Sequence, residues 1–361
     1  MFNSMQMWMR NLRVCLCVTA AYACLVLVIY PLWITEGSGL TVRVQTEDEF
    51  LLPSMREKFN STSPAYRNRQ QYHHQPFKLS TAKGTANRLR ISETKGESRH
   101  RTFLQTRTKC SQKYLLLILV PSSPLNFEKR RVIRQTWGTD YSMNKTWRTM
   151  FLLGQLRHPT EMKYLSAETA IYGDIIQGSQ TDSYHNLTLK TEMGLEWAVK
   201  YCDFDFLLKA DDDVFVNSFK LLDYLRNPST PKIKLYLGNV AQRSKTHRHG
   251  KWALSYKEYQ NEILPRFCLG PAYVLSIDLV RQFVDIFDPK KPLKLEDVYM
   301  GMLAERVGVT PRRHRGFRTN KRRQCSQYFK LIVIHEASSD CIIKLFNKAL
   351  EERFRQWMKH S

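Results

Sequence analysis

The chain changes texture twice along its 361 residues. Val14 to Ile34 form an apolar block of 21 positions without a charge, long enough for a helix to cross a bilayer. From Thr35 to about Lys109 polar and basic residues dominate, as in YRNRQQYHHQPFKLSTAKGTANRLR, without a sustained period. Such a stretch reads as a flexible stem. From Cys110 on, short apolar runs alternate with amphipathic segments. Strands are predicted at Tyr114–Val120, Met150–Gly154, Asp174–Gln177, Phe204–Leu208, Leu235–Val240, Ala272–Ser276 and Leu331–His335. Helices are predicted over about Phe127–Trp137, Thr160–Ile171 and Leu187–Tyr201, from about Glu296, and over Cys341–Met358. The alternation predicts an α/β domain whose mainly parallel sheet is covered on both faces. Roughly 250 residues are enough for one such core. The expected organisation is a tail at 1–13, a membrane span at 14–34, a stem at 35–109 and a folded domain at 110–361.

Charge orients the apolar block. Arg10 and Arg13 precede it, and Glu36, Glu47, Asp48 and Glu49 follow, so the positive-inside bias leaves a short cytoplasmic tail and a lumenal domain. A cleaved signal peptide competes, because Ala21-Tyr22-Ala23 resembles a cleavage site. Apolar sequence continues for eleven residues past Ala23, however, which favours an anchor. Glycosylation triplets at Asn60, Asn144 and Asn186 agree with lumenal exposure. Cys110, Cys202, Cys268, Cys325 and Cys341 lie beyond the block; an odd number allows at most two internal disulfides and leaves one thiol. The net charge of +23 points to anionic partners or surroundings. No zinc-finger spacing or RNA-binding aromatic signature accompanies it, which argues against nucleic acid.

Three features suggest chemistry. FDFLLKADDDVFVN sets Asp211, Asp212 and Asp213 at the end of a predicted buried strand. Adjacent carboxylates repel and are costly to desolvate, so the triplet is either a solvated turn or a site for a hard cation. In extended backbone Asp211 and Asp213 point one way and Asp212 another. KLEDVYMG places Glu296 and Asp297 at the start of a helix, where acidic residues also serve as caps. His335 ends the strand LIVIH, as a structural histidine or as a further metal ligand. Basic residues group as well. Arg130 and Arg134 share a helix face and suit phosphate recognition, or simply form a solvated face. The run PRRHRGFRTNKRR, Pro311–Arg323, is either a solubilising surface or an approach to an anionic substrate or membrane.

In order, RRVIRQTWG, YGDIIQ…DSYHNLTLKT, FLLKADDDVFVN, YVLS, EDVYMG, GFRT and IVIH resemble the β-1,3-glycosyltransferases of glycosyltransferase family 31. The resemblance spans about Tyr114 to His335. It implies a GT-A fold, a Rossmann-like mixed sheet with helices on both faces, behind a transmembrane anchor and stem in a type II Golgi protein. It further implies inverting transfer from a UDP-sugar with Mn²⁺ to a glycan acceptor on glycoprotein, glycolipid or proteoglycan. On this resemblance Asp213 and His335 are metal ligands and Asp297 is the catalytic base. Asp211 and Asp212 then contact the nucleotide, and Arg130, Arg134 and Asp174 lie near its pocket. Galactose is the preferred donor sugar, with N-acetylglucosamine the alternative.

Two departures from the family pattern stand out. FCLGPAYVLS carries Leu269, Pro271 and Ala272 where many members read CSGTGY, on the acceptor side. A cysteine that members often carry two residues after the EDVYxG glycine is Leu303 here. Cys325 is then free or pairs with Cys341, and Cys202 is expected to pair with Cys268. A non-catalytic lumenal homologue and a metal-dependent phosphohydrolase are the competing functions. Retention of Asp211–Asp213, Asp297 and His335 argues against the first, and the lack of a paired-metal ligand set against the second.

Overall fold

The computed structural model of the chain describes residues 102–105, 109–156, 159–288, 292–319, 325 and 329–360. The expected tail, membrane span, most of the stem and the Asn60 triplet lie outside the described residues. Among the described residues no helix is long and apolar enough to cross a membrane.

The larger sheet has eight strands: β1 (Thr102–Gln105), β2 (Lys113–Pro121), β3 (Trp147–Gln155), β4 (Ile175–Thr181), β5 (Asp203–Ala210), β7 (Tyr236–Ala241), β8 (Phe267–Ser276) and β9 (Arg312–Arg313). Their spatial order is β1-β4-β3-β2-β5-β8-β7-β9. Strands β4, β3, β2 and β5 run parallel, while β8 is antiparallel to both β5 and β7. The sheet is therefore mixed, with its parallel strands in the middle and antiparallel β8 beside them. It also begins at Thr102, inside the expected stem. A three-stranded sheet joins β10 (Phe317–Arg318), β11 (Val333–Ile334) and β6 (Phe215–Val216) in that order.

Alternation along β2 divides its side chains between two apolar layers. Leu116, Ile118 and Val120 face one layer, and Leu117 and Leu119 the other, as the two-residue strand period requires. The first layer is covered by α1 (Phe127–Gln135), α4 (Ser218–Arg226) and α7 (Ser339–His360), and takes Leu165 from α2 (Pro159–Tyr172). The second is covered by α3 (Leu187–Tyr201), α5 (Ile277–Asp285) and α6 (Glu296–Arg306). Each fully buried Leu in these layers stabilises the fold by roughly 1.5–3 kcal/mol relative to exposure.

Two disulfides form, Cys110–Cys202 and Cys325–Cys341, and Cys268 is the buried free thiol among the described residues. The expected Cys202–Cys268 pairing is thus corrected. The cause is register: β2 and β5 are neighbours with Lys113 opposite Asp203, and the Cys110 amide donates to the Tyr201 carbonyl. Cys110 and Cys202 therefore enter the sheet side by side. Cys268 lies instead on β8, against Tyr236 and Gly238 of β7.

Candidate active site

Asp211, Asp212 and Asp213 follow the last residue of β5, at the carboxyl end of the parallel strands, where open α/β sheets place their ligands. Pairing with β8 runs to this edge, since the Asp211 amide donates to the Pro271 carbonyl at 2.9 Å. Beyond it the three side chains diverge. Asp212 turns inward and accepts from Ser122 Oγ (2.7 Å), Asn126 Nδ2 (2.8 Å) and Lys129 Nζ (2.9 Å). It thereby binds β5 to the loop after β2. Asp211 and Asp213 face His335 instead, and one ligand atom from each of the three residues lies within 4.8 Å of the others.

The imidazole of His335 is aimed by its surroundings. Its Nδ1 lies 3.2 Å from the Thr319 carbonyl, so it carries the proton and donates. Nε2 then points toward Asp213, 3.7 Å away. Glu336, the next residue, takes a left-handed φ of 55°, a conformation costly for a non-glycine residue. That turn lets the Ala337 amide reach back to the Asp213 carbonyl at 2.9 Å. Two carboxylates and an imidazole nitrogen form a donor set suited to a divalent cation of the Mg²⁺/Mn²⁺ type.

The second acidic cluster sits at the start of α6. Asp297, in the first turn of α6, accepts from the Gly270 amide (3.0 Å, Oδ2) and the Val298 amide (2.9 Å, Oδ1). Burial pushes its carboxyl above the usual aspartate range, against the opposing pull of Gly270, Lys209 and Val298. Glu296 is buried and accepts from Tyr273 Oη at 2.5 Å; burial raises its pKa too, opposed chiefly by Lys209.

Lys209 joins the two clusters. This lysine on β5 is fully buried, and its ammonium donates to Asp211 Oδ1 and the Gly270 carbonyl, each at 2.6 Å. Glu296 Oε2 lies 3.6 Å away. Burial alone would strip its proton, but Asp211 and Glu296 reverse the effect and hold it above the ordinary lysine range. Asp211 in turn is raised by burial and drawn back by Lys209. Gly270 is the crossing point, its carbonyl on Lys209 and its amide on Asp297. The departing segment FCLGPAYVLS thus runs between the two clusters.

Three expected nucleotide contacts lie elsewhere. The Arg130 guanidinium is fully buried, paired with Glu168 (2.6 and 2.8 Å) and donating to the carbonyls of Ser123 and Pro124. It shapes the loop that carries Ser122, from beneath. Arg134 pairs with Glu168 and Asp174, each at 2.8 Å, and lies over the Tyr172 ring. Asp174 immediately precedes β4, so this pair sits at the amino end of the parallel strands, opposite the Asp211 end. Both arginines are paired with protein carboxylates, Arg130 with Glu168 and Arg134 with Glu168 and Asp174. Asp211, expected at the nucleotide, lies together with Asp213 and His335. Ser122, Asn126, Lys129, Lys209 and Gly270 were missed in the sequence reading. Of these only Lys209 leaves a trace, as a charge inside the apolar run FDFLLKA.

Fold and site together fit a group-transferring enzyme, with a donor set suited to a divalent cation near a buried carboxylate. A family model described as galactosyltransferase matches residues 128–315, and the chain belongs to that family and is a hexosyltransferase. It is 32% identical over 245 residues to beta-1,3-galactosyltransferase 1 of Homo sapiens, covering 66% of this chain and 75% of that one. It is also 32% identical over 254 residues to N-acetyllactosaminide beta-1,3-N-acetylglucosaminyltransferase 2 of Homo sapiens, covering 66% and 64%. Against UDP-GalNAc:beta-1,3-N-acetylgalactosaminyltransferase 1 of Rattus norvegicus it is 38% identical over 215 residues, covering 55% and 62%. Among solved structures, a mannosyltransferase from Pyrobaculum calidifontis in complex with GDP-Man and Mn2+ overlaps with a TM-score of 0.34 at 11% identity, covering 56% of this chain and 55% of that one.

Proposed function

We propose that the protein is an inverting β-1,3-galactosyltransferase of GT-A fold. It moves galactose from UDP-galactose to the 3-hydroxyl of a glycan acceptor on glycoprotein, glycolipid or proteoglycan. In this reading it acts in the Golgi lumen as a single-pass type II protein, anchored by residues 14–34, with Mn²⁺ as cofactor. The observation that carries it is the pairing of Asp211, Asp213 and His335 with Asp297 through Lys209 and Gly270.

Asp211, Asp213 and His335 would hold the cation, which when bound supplies charge to offset the leaving diphosphate. The chain's residues do the rest. Asp297 takes the proton of the attacking hydroxyl, and the Gly270 and Val298 amides fix its carboxylate. Lys209 stays protonated and keeps Asp211 and Glu296 from repelling one another. Asp212 clamps the loop after β2 and so gives the nucleotide side of the cleft its shape, without itself touching the cation.

The test is a donor panel of UDP-galactose, UDP-N-acetylglucosamine and UDP-N-acetylgalactosamine with β-linked acceptors, with and without Mn²⁺. UDP-galactose is expected to give the highest kcat/KM, and chelation is expected to abolish transfer. Faster turnover of either N-acetylated donor would overturn the donor assignment, and undiminished transfer in chelator the cofactor assignment.

A further inference from the structure

The basic run that the transfer chemistry leaves unused lines a cavity. About 580 Å³ in volume, it is walled by Asn239, Arg313, Arg315, Phe317, Arg318 and Thr319, together with His314. A tight turn shapes it: the Phe317 amide donates to the His314 carbonyl (3.1 Å), and the His314 amide to the Gly238 carbonyl of β7 (2.9 Å). His314 packs edge-on against Tyr224 and Phe317, accepts from the Gly316 amide at Nδ1, and has its pKa lowered by burial. Asn239 Nδ2 donates to Thr319 Oγ1 at 2.7 Å. The cavity's permanent charges are the three arginines. Among the described residues no carboxylate lines it and none pairs with Arg313, Arg315 or Arg318.

Guanidinium groups gathered on one concave wall without a counter-ion repel each other and focus a positive potential. A merely solubilising surface would spread them over convex ground. Their planar donors suit carboxylate, sulfate and phosphate oxygens. The cavity adjoins the candidate cation site without being part of it. Thr319 accepts from His335 Nδ1, whereas the opposite ring atom, Nε2, faces Asp213. A donor diphosphate belongs on the Nε2 side, so an anion on the arginine side comes with the other reactant.

We propose that this cavity seats an anionic substituent of the acceptor, a carboxylate, sulfate or phosphate ester, making acidic saccharides the acceptor class. The proposal rests on the glycosyltransferase reading above. The experiment uses the full-length protein in detergent micelles and two probes: a β-galactoside, and the same β-galactoside carrying a sulfate ester. Calorimetric titration is expected to show the sulfated glycoside bound about tenfold tighter or more, as a few charge-assisted hydrogen bonds provide. The combined variant Arg313→Gln, Arg315→Gln, Arg318→Gln is expected to erase that preference. The corresponding triple Lys variant is expected to keep part of it, which separates lost charge from lost folding. In transfer assays the ratio of kcat/KM for sulfated over neutral acceptor should fall about tenfold in the Gln variant. Equal affinity for the two glycosides, or a preference that survives the Gln variant, overturns the proposal. Inorganic sulfate displacing UDP-galactose rather than the sulfated glycoside also overturns it and assigns the arginines to the donor. Arginine-dependent binding of the sulfated glycoside without transfer from any UDP-sugar supports the cavity and sinks the glycosyltransferase reading instead.

Discussion

Lys209 is surrounded by an apolar sheet that cannot solvate it, and it is tolerated because the carboxylates of Asp211, two residues on, and Glu296, from α6, meet its ammonium. Lys209→Met should leave Glu296 buried without a counter-charge and cost about 3–5 kcal/mol, read as the shift in denaturant-induced unfolding. Asp297 has a different duty, and Asp297→Asn keeps its shape while removing its basicity. Transfer should fall by about 10²–10⁴-fold, with UDP-sugar affinity retained in calorimetry; loss of that affinity would contradict a base role. The same carboxylate sets a pH dependence. It works deprotonated, and burial together with the nearby Asp211 raises its pKa while Gly270, Lys209 and Val298 oppose the shift. Activity should therefore be lost as pH falls, with the acidic limb of kcat/KM above the ordinary aspartate value of about 3.9. A limb at or below that value would remove the buried base from the mechanism.

At the scale of elements, α6 reaches β8 because it carries a glycine at the contact. A Cβ added at Gly301 would lie 2.6 Å from Phe267 Cβ and 2.8 Å from the Arg266 carbonyl oxygen. Helix propensity alone favours Gly301→Ala by about 1 kcal/mol. The backbone clash outweighs it, since β8 cannot yield without disturbing its pairing with β5 and β7. The substitution should push α6 outward and draw Asp297 from Gly270, lowering both thermal stability and kcat; a more stable, fully active variant would refute this packing. Strands and helices with clear periodicity were legible in the sequence, among them α3 and the aspartate-bearing β5. α5 was not foreseen, because the apolar run passes from AYVLS into IDLV without a turn residue. The two-residue strands β6, β9 and β10 are too short to carry a period and form only because neighbouring backbone meets them.

Over the whole molecule, a change of strand direction assembles the site. The parallel strands deliver Asp211 to one edge, and antiparallel β8 returns along β5 to place Gly270 beside it. The disulfide Cys110–Cys202 pins the opposite edge of that sheet, closing a loop with a sequence separation of 92. Replacing both cysteines by alanine should cost about 2–5 kcal/mol, measured by equilibrium unfolding. An unchanged midpoint would mean that the β2–β5 pairing holds without it.

By itself the sequence determined the alternating α/β architecture, the aspartate triplet at a strand's carboxyl end, Asp297 at a helix start and His335 at a strand end. These follow from local periodicity, and several ordered motifs give the family. The tertiary structure alone decided which partner each charge takes. Arg130 and Arg134 were expected beside a ligand and found Glu168 and Asp174, because a helix face does not reveal what packs against it. Cys202 joined Cys110 through strand register, which spacing does not encode. Asp211 and Asp213 met His335 because a left-handed turn at Glu336 sets the Ala337 amide on the Asp213 carbonyl, joining segments more than a hundred residues apart in the chain. Local pattern sets the elements; low dielectric and long-range pairing choose the neighbours of every buried charge.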